Sequence, residues 1–220
     1  MIAVRLEKEV RKLCPLLRLG TIECNVFNSH FNDELWEEIE SVSEKIRNEY
    51  SLEFINERPA IAATRQAYKA LGKDPNRYRP SAEALCRRIV KGMDLYRVNT
   101  LVDLINLISV TSGFSIGGFD AGKIKGSELI LGIGKEHEPF VAIGRNCLNI
   151  DRLPVFRDDL GGIGTPTRDE ERTKLDVETS RLLMIINDYL GGEELPQTLD
   201  YAVLLLKKYV RAVEFDVNLI

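Results

Sequence analysis

The sequence predicts an α+β fold in one domain spanning residues 1–220, and three observations carry that expectation. Apolar and polar residues alternate as in strands near the amino terminus, while apolar residues recur at helical spacing in several separate stretches. No repeat, low-complexity tract or evident linker divides the chain, so one core serves both kinds of element. With 220 residues, 44% hydrophobic and 29% charged, the chain is long enough to bury that core and has an ordinary globular composition.

Taken in order, residues 2–6 alternate as a short strand, 7–13 suit a short helix, and 16–27 read as a longer strand. An amphipathic helix is expected over 33–50, with Leu35, Ile39, Val42, Ile46 and Tyr50 on its core stripe, Asn32 as N-cap and Phe31 stapled onto Trp36. Pro59 opens the next helix and Gly72 falls just past its end. Residues 72–81 form a loop by their Pro, Asn and Asp content, after which Ser81 caps a helix through Lys91.

The segment 99–126 reads as an apolar helix, a glycine-rich turn and a Phe-Asp pair leading into a Lys-Ile-Lys-Gly turn. On the helix, Leu101, Leu104, Ile105 and Ile108 mark a core face, while Asn99, Asp103 and Asn106 form a thin polar stripe on another. A helix apolar nearly all round is buried, and its polar groups then require partners. Beyond it, 127–134 and 139–144 are expected as a hairpin turned by KEHE, 153–156 as a strand, and 157–171 as a long loop. Residues 182–186 suit a buried strand and 199–213 a closing helix with Ala202, Leu205, Leu206, Tyr209 and Val213 inward.

The chemistry the chain does not offer narrows the field. No apolar run approaches bilayer-spanning length, the amino terminus lacks the apolar core of a signal peptide, and the four cysteines are scattered without a CxxC pair. Cytoplasmic placement, with no membrane, is the resulting expectation. His30 and His137 stand in polar surroundings, so neither a Ser-His-Asp arrangement nor a zinc site is expected. GIGK at 132–135 lacks the spacing of a phosphate loop and leads into a turn rather than a helix.

Two stretches remain chemically interesting. Between Arg58 and Arg97 lie ten basic and three acidic residues, in a chain whose net charge is −4. Such a block is either a polyanion footprint, if its charges converge on one face, or a solvated helical surface. The segment from Arg157 to Lys174 combines Asp158 and Asp159 with Gly161, Gly162 and Gly164, then Thr165, Arg168 and Asp169. Glycines let a backbone approach a ligand closely, and carboxylates and guanidinium groups orient an amine, a hydroxyl or a water. A charged surface loop held by local salt bridges is the alternative.

Here the chain resembles a known family. Leu101 to Asn106 (LVDLIN) is similar to the Leu-Val-Asp-Ile-Thr-Asn of the editing module formed by the third and fourth domains of the phenylalanyl-tRNA synthetase beta chain, keeping Asp103 and Asn106. Phe119 and Asp120 match that family's Ala-Phe-Asp, Lys123 to Gly126 follow as Lys-Ile-Lys-Gly, and Leu160, Gly161 and Gly162 resemble its Met-Gly-Gly. The resemblance runs from about residue 59 to 186. It implies a single compact α+β domain with a mixed sheet and flanking helices. The synthetase's catalytic and anticodon-reading parts have no counterpart, so charging of tRNA is not expected.

In that family the module hydrolyses tyrosine mistakenly esterified to phenylalanine tRNA. The resemblance therefore implies a freestanding tRNA-binding domain that hydrolyses misacylated tRNA esters, with the aminoacyl-tRNA 3′ end held by Phe119, Asp120, Gly161, Gly162, Gly164 and Thr165. Backbone N–H groups of Gly161 and Gly162 are the expected oxyanion donors. Gly117 stands where the family carries a histidine, and Ile163, Gly164, Thr165 and Pro166 where an acidic residue follows Gly-Gly. Asp158 and Asp169 are then the candidates to supply a carboxylate. From the basic block, Arg65, Lys69, Arg87, Arg88 and Lys91 are the expected RNA contacts, and no cofactor or metal is implied. A non-catalytic RNA-binding adaptor and a binder of amino acids or other small molecules are the alternatives.

Overall fold

The computed structural model describes residues 1–144 and 147–220. Among the described residues, eight strands form two four-stranded sheets rather than one. In the first sheet β1 (Ala3–Leu6) runs parallel to β4 (Glu128–Ile133), which pairs antiparallel with β5 (Pro154–Asp158), and β5 pairs antiparallel with β6 (Gly161–Gly164). The second sheet is antiparallel throughout, in the order β3 (Ser115–Asp120), β7 (Arg181–Asp188), β2 (Arg18–Asn25) and β8 (Val213–Leu219).

β7 shows why the sheets stack as they do. Side chains alternate across a strand, and β7 is apolar on both faces. Leu182, Met184 and Ile186 enter a core shared with three helices, α2 (Asp33–Glu49), α5 (Thr100–Ser112) and α6 (Glu194–Val210). Leu183 and Ile185 enter a second core with Val4, Leu129, Leu131 and Phe156 of the first sheet. The second sheet is thus the middle layer, between helices and the mixed sheet. Helix α3 (Pro59–Ala70) bridges the cores, placing Ile61 in one and Ala67 in the other. Short α1 (Lys8–Leu13) adds Val10 to the second core, and α4 (Ser81–Val90) adds Cys86 and Ile89 to the first.

The expected cap and staple of α2 are present, and α5 has a cap of the same kind. Asn32 Oδ1 accepts the Leu35 N–H at 3.0 Å, and the Phe31 and Trp36 rings stack with centroids 6.4 Å apart. Asn99 Oδ1 accepts the Val102 N–H at 3.1 Å, an interaction worth about 1 kcal/mol, and Gly113 closes α5 at φ 83°. Of the polar stripe of α5, Asn99 and Asp103 are buried and partnered, while Asn106 is half-buried. Asp103 accepts Trp36 Nε1–H at 2.8 Å and the Val98 N–H at 3.0 Å. Burial raises its carboxyl, against the pull of those two donors and of Arg97. Ser81, however, is the first helical residue and Pro80 the cap, because the Ser81 N–H is given to Pro166 O at 2.8 Å.

Other expectations fail for reasons that lie outside local sequence. The glycine-rich stretch before Phe119 is strand β3, not a turn. β4 finds its antiparallel partner in β5, so the hairpin with 139–144 does not form; only Ala142 bridges, to Glu170. The expected loop 157–171 contains the end of β5 and all of β6. The last helix begins at Glu194 and stops at Val210, where Arg211 turns left-handed at φ 49°. Val213 is therefore not on its inner face but 57% exposed, at the start of a strand that the local pattern does not announce.

Candidate functional site

The two sheets approach each other where β3, an edge strand, meets the segment after β6. That segment is a tight hairpin: Thr165 N donates to Arg168 O at 3.0 Å, Arg168 N to Thr165 O at 3.1 Å, and Glu170 N to Ile163 O at 2.8 Å. Thr165 locks the turn, its Oγ1 accepting the N–H groups of Thr167 (3.1 Å) and Arg168 (3.0 Å). The return arm carries Asp169 back against β3. Being at a sheet edge, β3 leaves amides pointing away from β7 without ladder partners. The Gly118 N–H takes Asp169 Oδ2 as acceptor, at 3.2 Å.

Glycine is what makes this approach possible. A Cβ on Gly117 would lie 2.7 Å from Phe119 Cζ and 3.5 Å from Asp169 Oδ1. One on Gly164 would lie 2.5 Å from the same Cζ and 2.8 Å from the same oxygen. On the opposite face, a Cβ on Gly118 would lie 2.5 Å from Ile105 Cδ1 and 3.0 Å from Leu175 Cδ1. The Phe119 ring tip and one carboxylate oxygen thus occupy the room between two strands that lack side chains. Burial pushes the Asp169 carboxyl up to about 7, the Gly118 N–H acting in the opposite direction. At neutral pH such a group both accepts and releases protons.

The sequence-expected residues divide accordingly. Phe119, Gly164 and Asp169 converge, with Gly117 directly beside them. Phe119 is fully buried, its ring edge-on to Phe156 at 6.5 Å, so it forms the floor of the site rather than an open wall. Asp120 turns into the next loop, where it accepts from Gly122 N (3.0 Å) and Thr179 Oγ1 (3.0 Å) and pairs with Lys123 at 3.3 Å. Thr165 is buried and spent on its own turn.

Asp158 lies at the opposite end of β6 and is spent too. It receives a bidentate guanidinium from Arg172 (2.8 and 2.9 Å) and the N–H groups of Lys125, Leu160 and Gly161. Burial alone would raise its carboxyl, but Arg172 and the backbone donors outweigh it and hold it below the usual carboxylate range. The Gly161 N–H, expected as an oxyanion donor, is already committed to Asp158 at 3.2 Å. Gly162 packs toward Phe140, where a Cβ would lie 3.0 Å from the ring. The donor that does face the convergent carboxylate is Gly118 N–H. Sequence reasoning misses it because nothing in a Gly-Gly pair says which amide lacks a ladder partner.

The basic block divides between the interior and solvent. Arg65 (2.8 Å), Arg87 (2.7 Å) and Arg79 (3.4 Å) surround the fully buried Glu83. Lys73 is buried on the carbonyls of Asn149 and Asp151. Lys69 and Lys91 lie toward solvent, and Arg88 lies over Tyr96. Among the described residues no group of three His, Cys, Asp or Glu side chains is placed to hold a metal, and no helix is long and apolar enough to cross a membrane.

A family model described as the B3/4 domain matches residues 63–189. Among solved structures, an N-terminal fragment of the phenylalanyl-tRNA synthetase beta-subunit from Pyrococcus horikoshii is similar over 98% of this chain and 50% of that one, with 12% identity and a TM-score of 0.47. The chain thus spans about half the length of that fragment. A search of curated protein sequences found no match.

Proposed function

The chain belongs to the B3/4 domain family, and from that premise we propose that it binds the acylated 3′ end of a tRNA and hydrolyses a misplaced aminoacyl ester at the junction of β3 and β6. One observation carries the chemical part of this reading. The Asp169 carboxylate sits between Gly117, Gly118 and Gly164, with one backbone donor and no cationic partner among the described residues. In this reading its ionised form takes a proton from water as the water oxygen adds to the ester carbonyl carbon. The bond from that carbon to the ribose oxygen then breaks, and the proton passes to the departing oxygen. The products are a free amino acid and an uncharged tRNA. The absence of a side chain at Gly117 leaves Asp169 as the titrating group of the site.

The test is deacylation of a panel of misacylated tRNAs, tyrosyl-tRNA specific for phenylalanine among them. We expect the protein to shorten at least one ester's lifetime, and Asp169→Asn to slow that reaction at least tenfold while tRNA affinity stays within about threefold, well under the ~1.4 kcal/mol of a tenfold step. Ester lifetimes unchanged by excess protein sink the catalytic reading. A second reading has its own support. The Phe119 ring fills the room over both glycines, so an acyl group enters only as that ring moves. If tRNA binds and no ester is cleaved, the chain is an RNA-binding adaptor with a closed site.

A further inference from the structure

The loop between α4 and α5 carries aromatic and guanidinium groups layered on the surface. The Arg88 guanidinium lies 3.9 Å from the centroid of the Tyr96 ring and donates to its hydroxyl at 2.9 Å. Tyr96 is 62% exposed, although it is large and aromatic. One residue on, the Arg97 guanidinium lies 4.5 Å from the Trp36 ring centroid and 5.1 Å from that of Phe31, which stacks on Trp36 at an interplanar angle of 12°. Phe31 is 39% exposed, so this second stack also reaches solvent. Glu40 is the carboxylate paired with Arg97, at a loose 3.6 Å.

Arg88 and Arg97 belong, with the exposed Lys69, Arg77 and Lys91, to the part of the basic block that the interior does not consume. Arg65, Arg79 and Arg87 are drawn to Glu83, and Arg58 donates to the carbonyls of Val110 and Thr111. Arg88 and Arg97 instead hold ring faces in fixed positions beside solvent-facing positive charge. Flat aromatic faces with cationic partners are what unpaired nucleotides stack upon, irrespective of base identity. An acidic peptide would take arginine forks end-on, whereas the Arg88 donors are already turned to Tyr96 and the Asp94 carbonyl.

Beneath this surface, buried contacts run from the loop toward β3. Asn99, two residues beyond Arg97, donates to Leu175 O at 3.4 Å. The Leu175 side chain packs against Gly118, whose amide holds Asp169. Leu175 therefore joins the loop to β3 through the interior, on the face opposite Phe119.

We propose that Tyr96, with Arg88, and Phe31, with Arg97, form a stacking platform for the unpaired nucleotides of an RNA 3′ strand. This rests on the proposed handling of an aminoacyl-tRNA end, and assigns a surface to its single strand. The test is fluorescence anisotropy with the full chain and a labelled RNA hairpin bearing an unpaired 3′ tail, beside the same hairpin blunt-ended. Tyr96→Ala should weaken binding of the tailed RNA about tenfold and leave the blunt one unchanged, whereas Tyr96→Phe should bind as the parent does. Arg97→Gln, checked for an unchanged melting temperature, should lose affinity for the tail in the same sense.

No binding of the tailed RNA by the parent protein, equal losses on both RNAs, or no loss at all overturns the proposal. Displacement of the RNA by a polyglutamate peptide, with peptide binding equally lost in Tyr96→Ala, assigns the surface to an acidic protein and also overturns it. Tail-selective loss without any deacylation leaves the platform standing and removes the ester chemistry. Deacylation insensitive to Tyr96→Ala does the reverse.

Discussion

Asp169→Asn should stabilise the protein, and the gain should grow with pH. The reason is the site's burial: the folded carboxyl titrates at about 7 against an ordinary value of 3.8. A raised carboxyl pKa means that the folded state binds a proton more tightly than the unfolded chain. Stability from this group is complete below pH 3.8, declines as pH rises toward 7 and is flat above it. Each tenfold difference in proton affinity between the two states corresponds to about 1.4 kcal/mol, so from pH 5 to pH 8 the carboxyl withdraws up to about 3 kcal/mol. Asparagine has no proton to lose, and its carbonyl can still accept the Gly118 N–H. In a chain of this length each kcal/mol moves the melting temperature by about 2–4 °C. The advantage of Asp169→Asn should therefore be larger at pH 8 than at pH 5 by as much as about 6–12 °C. Differential scanning calorimetry of both proteins at the two pH values measures it. An identical pH dependence in the two would refute the placement of an ionisable carboxyl in a desolvated site. Stability gained at the expense of hydrolysis would mark Asp169 as a group retained for function.

Three further outcomes are expected. Glu83→Ala should cost about 3 kcal/mol in urea unfolding, since it leaves the Arg65, Arg79 and Arg87 guanidinium groups crowded without their buried carboxylate; a loss below about 1 kcal/mol would show that solvent already screens them. Gly164→Ala should destabilise by about 1–3 kcal/mol through its clash with Phe119, and Phe119→Leu should recover part of that in a double-mutant cycle; strict additivity would place the strain elsewhere. Asp158 has a lowered pKa, so its contribution is present at neutral pH and is lost as pH falls below the ordinary carboxylate value of 3.8. Asp158→Asn should accordingly flatten the acid limb of the stability profile, as followed by circular dichroism, and an unchanged limb would count against the Arg172 latch.

Elements whose signals are local were legible in the sequence. Asn32 caps α2 because Asn competes for free amides wherever a helix begins, and Gly72, at φ 81°, follows the end of α3 because a left-handed residue suits glycine. What failed depended on partners distant in the chain. Residues 139–144 have a strand's composition, but β4 pairs with β5, leaving them one bridge to Glu170. The glycines of β3 suggested a turn because glycine is permissive; they are extended because Phe119, Ile105 and Leu175 claim the space of their side chains. The site divided in the same way. Asp158 and Asp169 look alike in sequence, yet one accepts five hydrogen bonds while the other is held by the Gly118 amide. The basic block was visible as composition, while the gathering of Arg65, Arg79 and Arg87 around Glu83 was not.

The order of the second sheet has a consequence for how the chain acquires its shape. Its two inner strands are β2 and β7, and every residue from Arg18 to Asn25 waits for a partner between Arg181 and Asp188. The first strand of that sheet is thus synthesised long before the strand that flanks it. Closing so long a loop delays the rewarding contacts, which places this sheet among slow, non-local assemblies. Until β7 emerges, β2 presents two unpaired edges and the apolar residues Leu19 and Ile22 to whatever else is nearby. Slow refolding that tracks truncation before β7, and early aggregation seeded by the β2 segment, are the kinetic signatures this topology should leave.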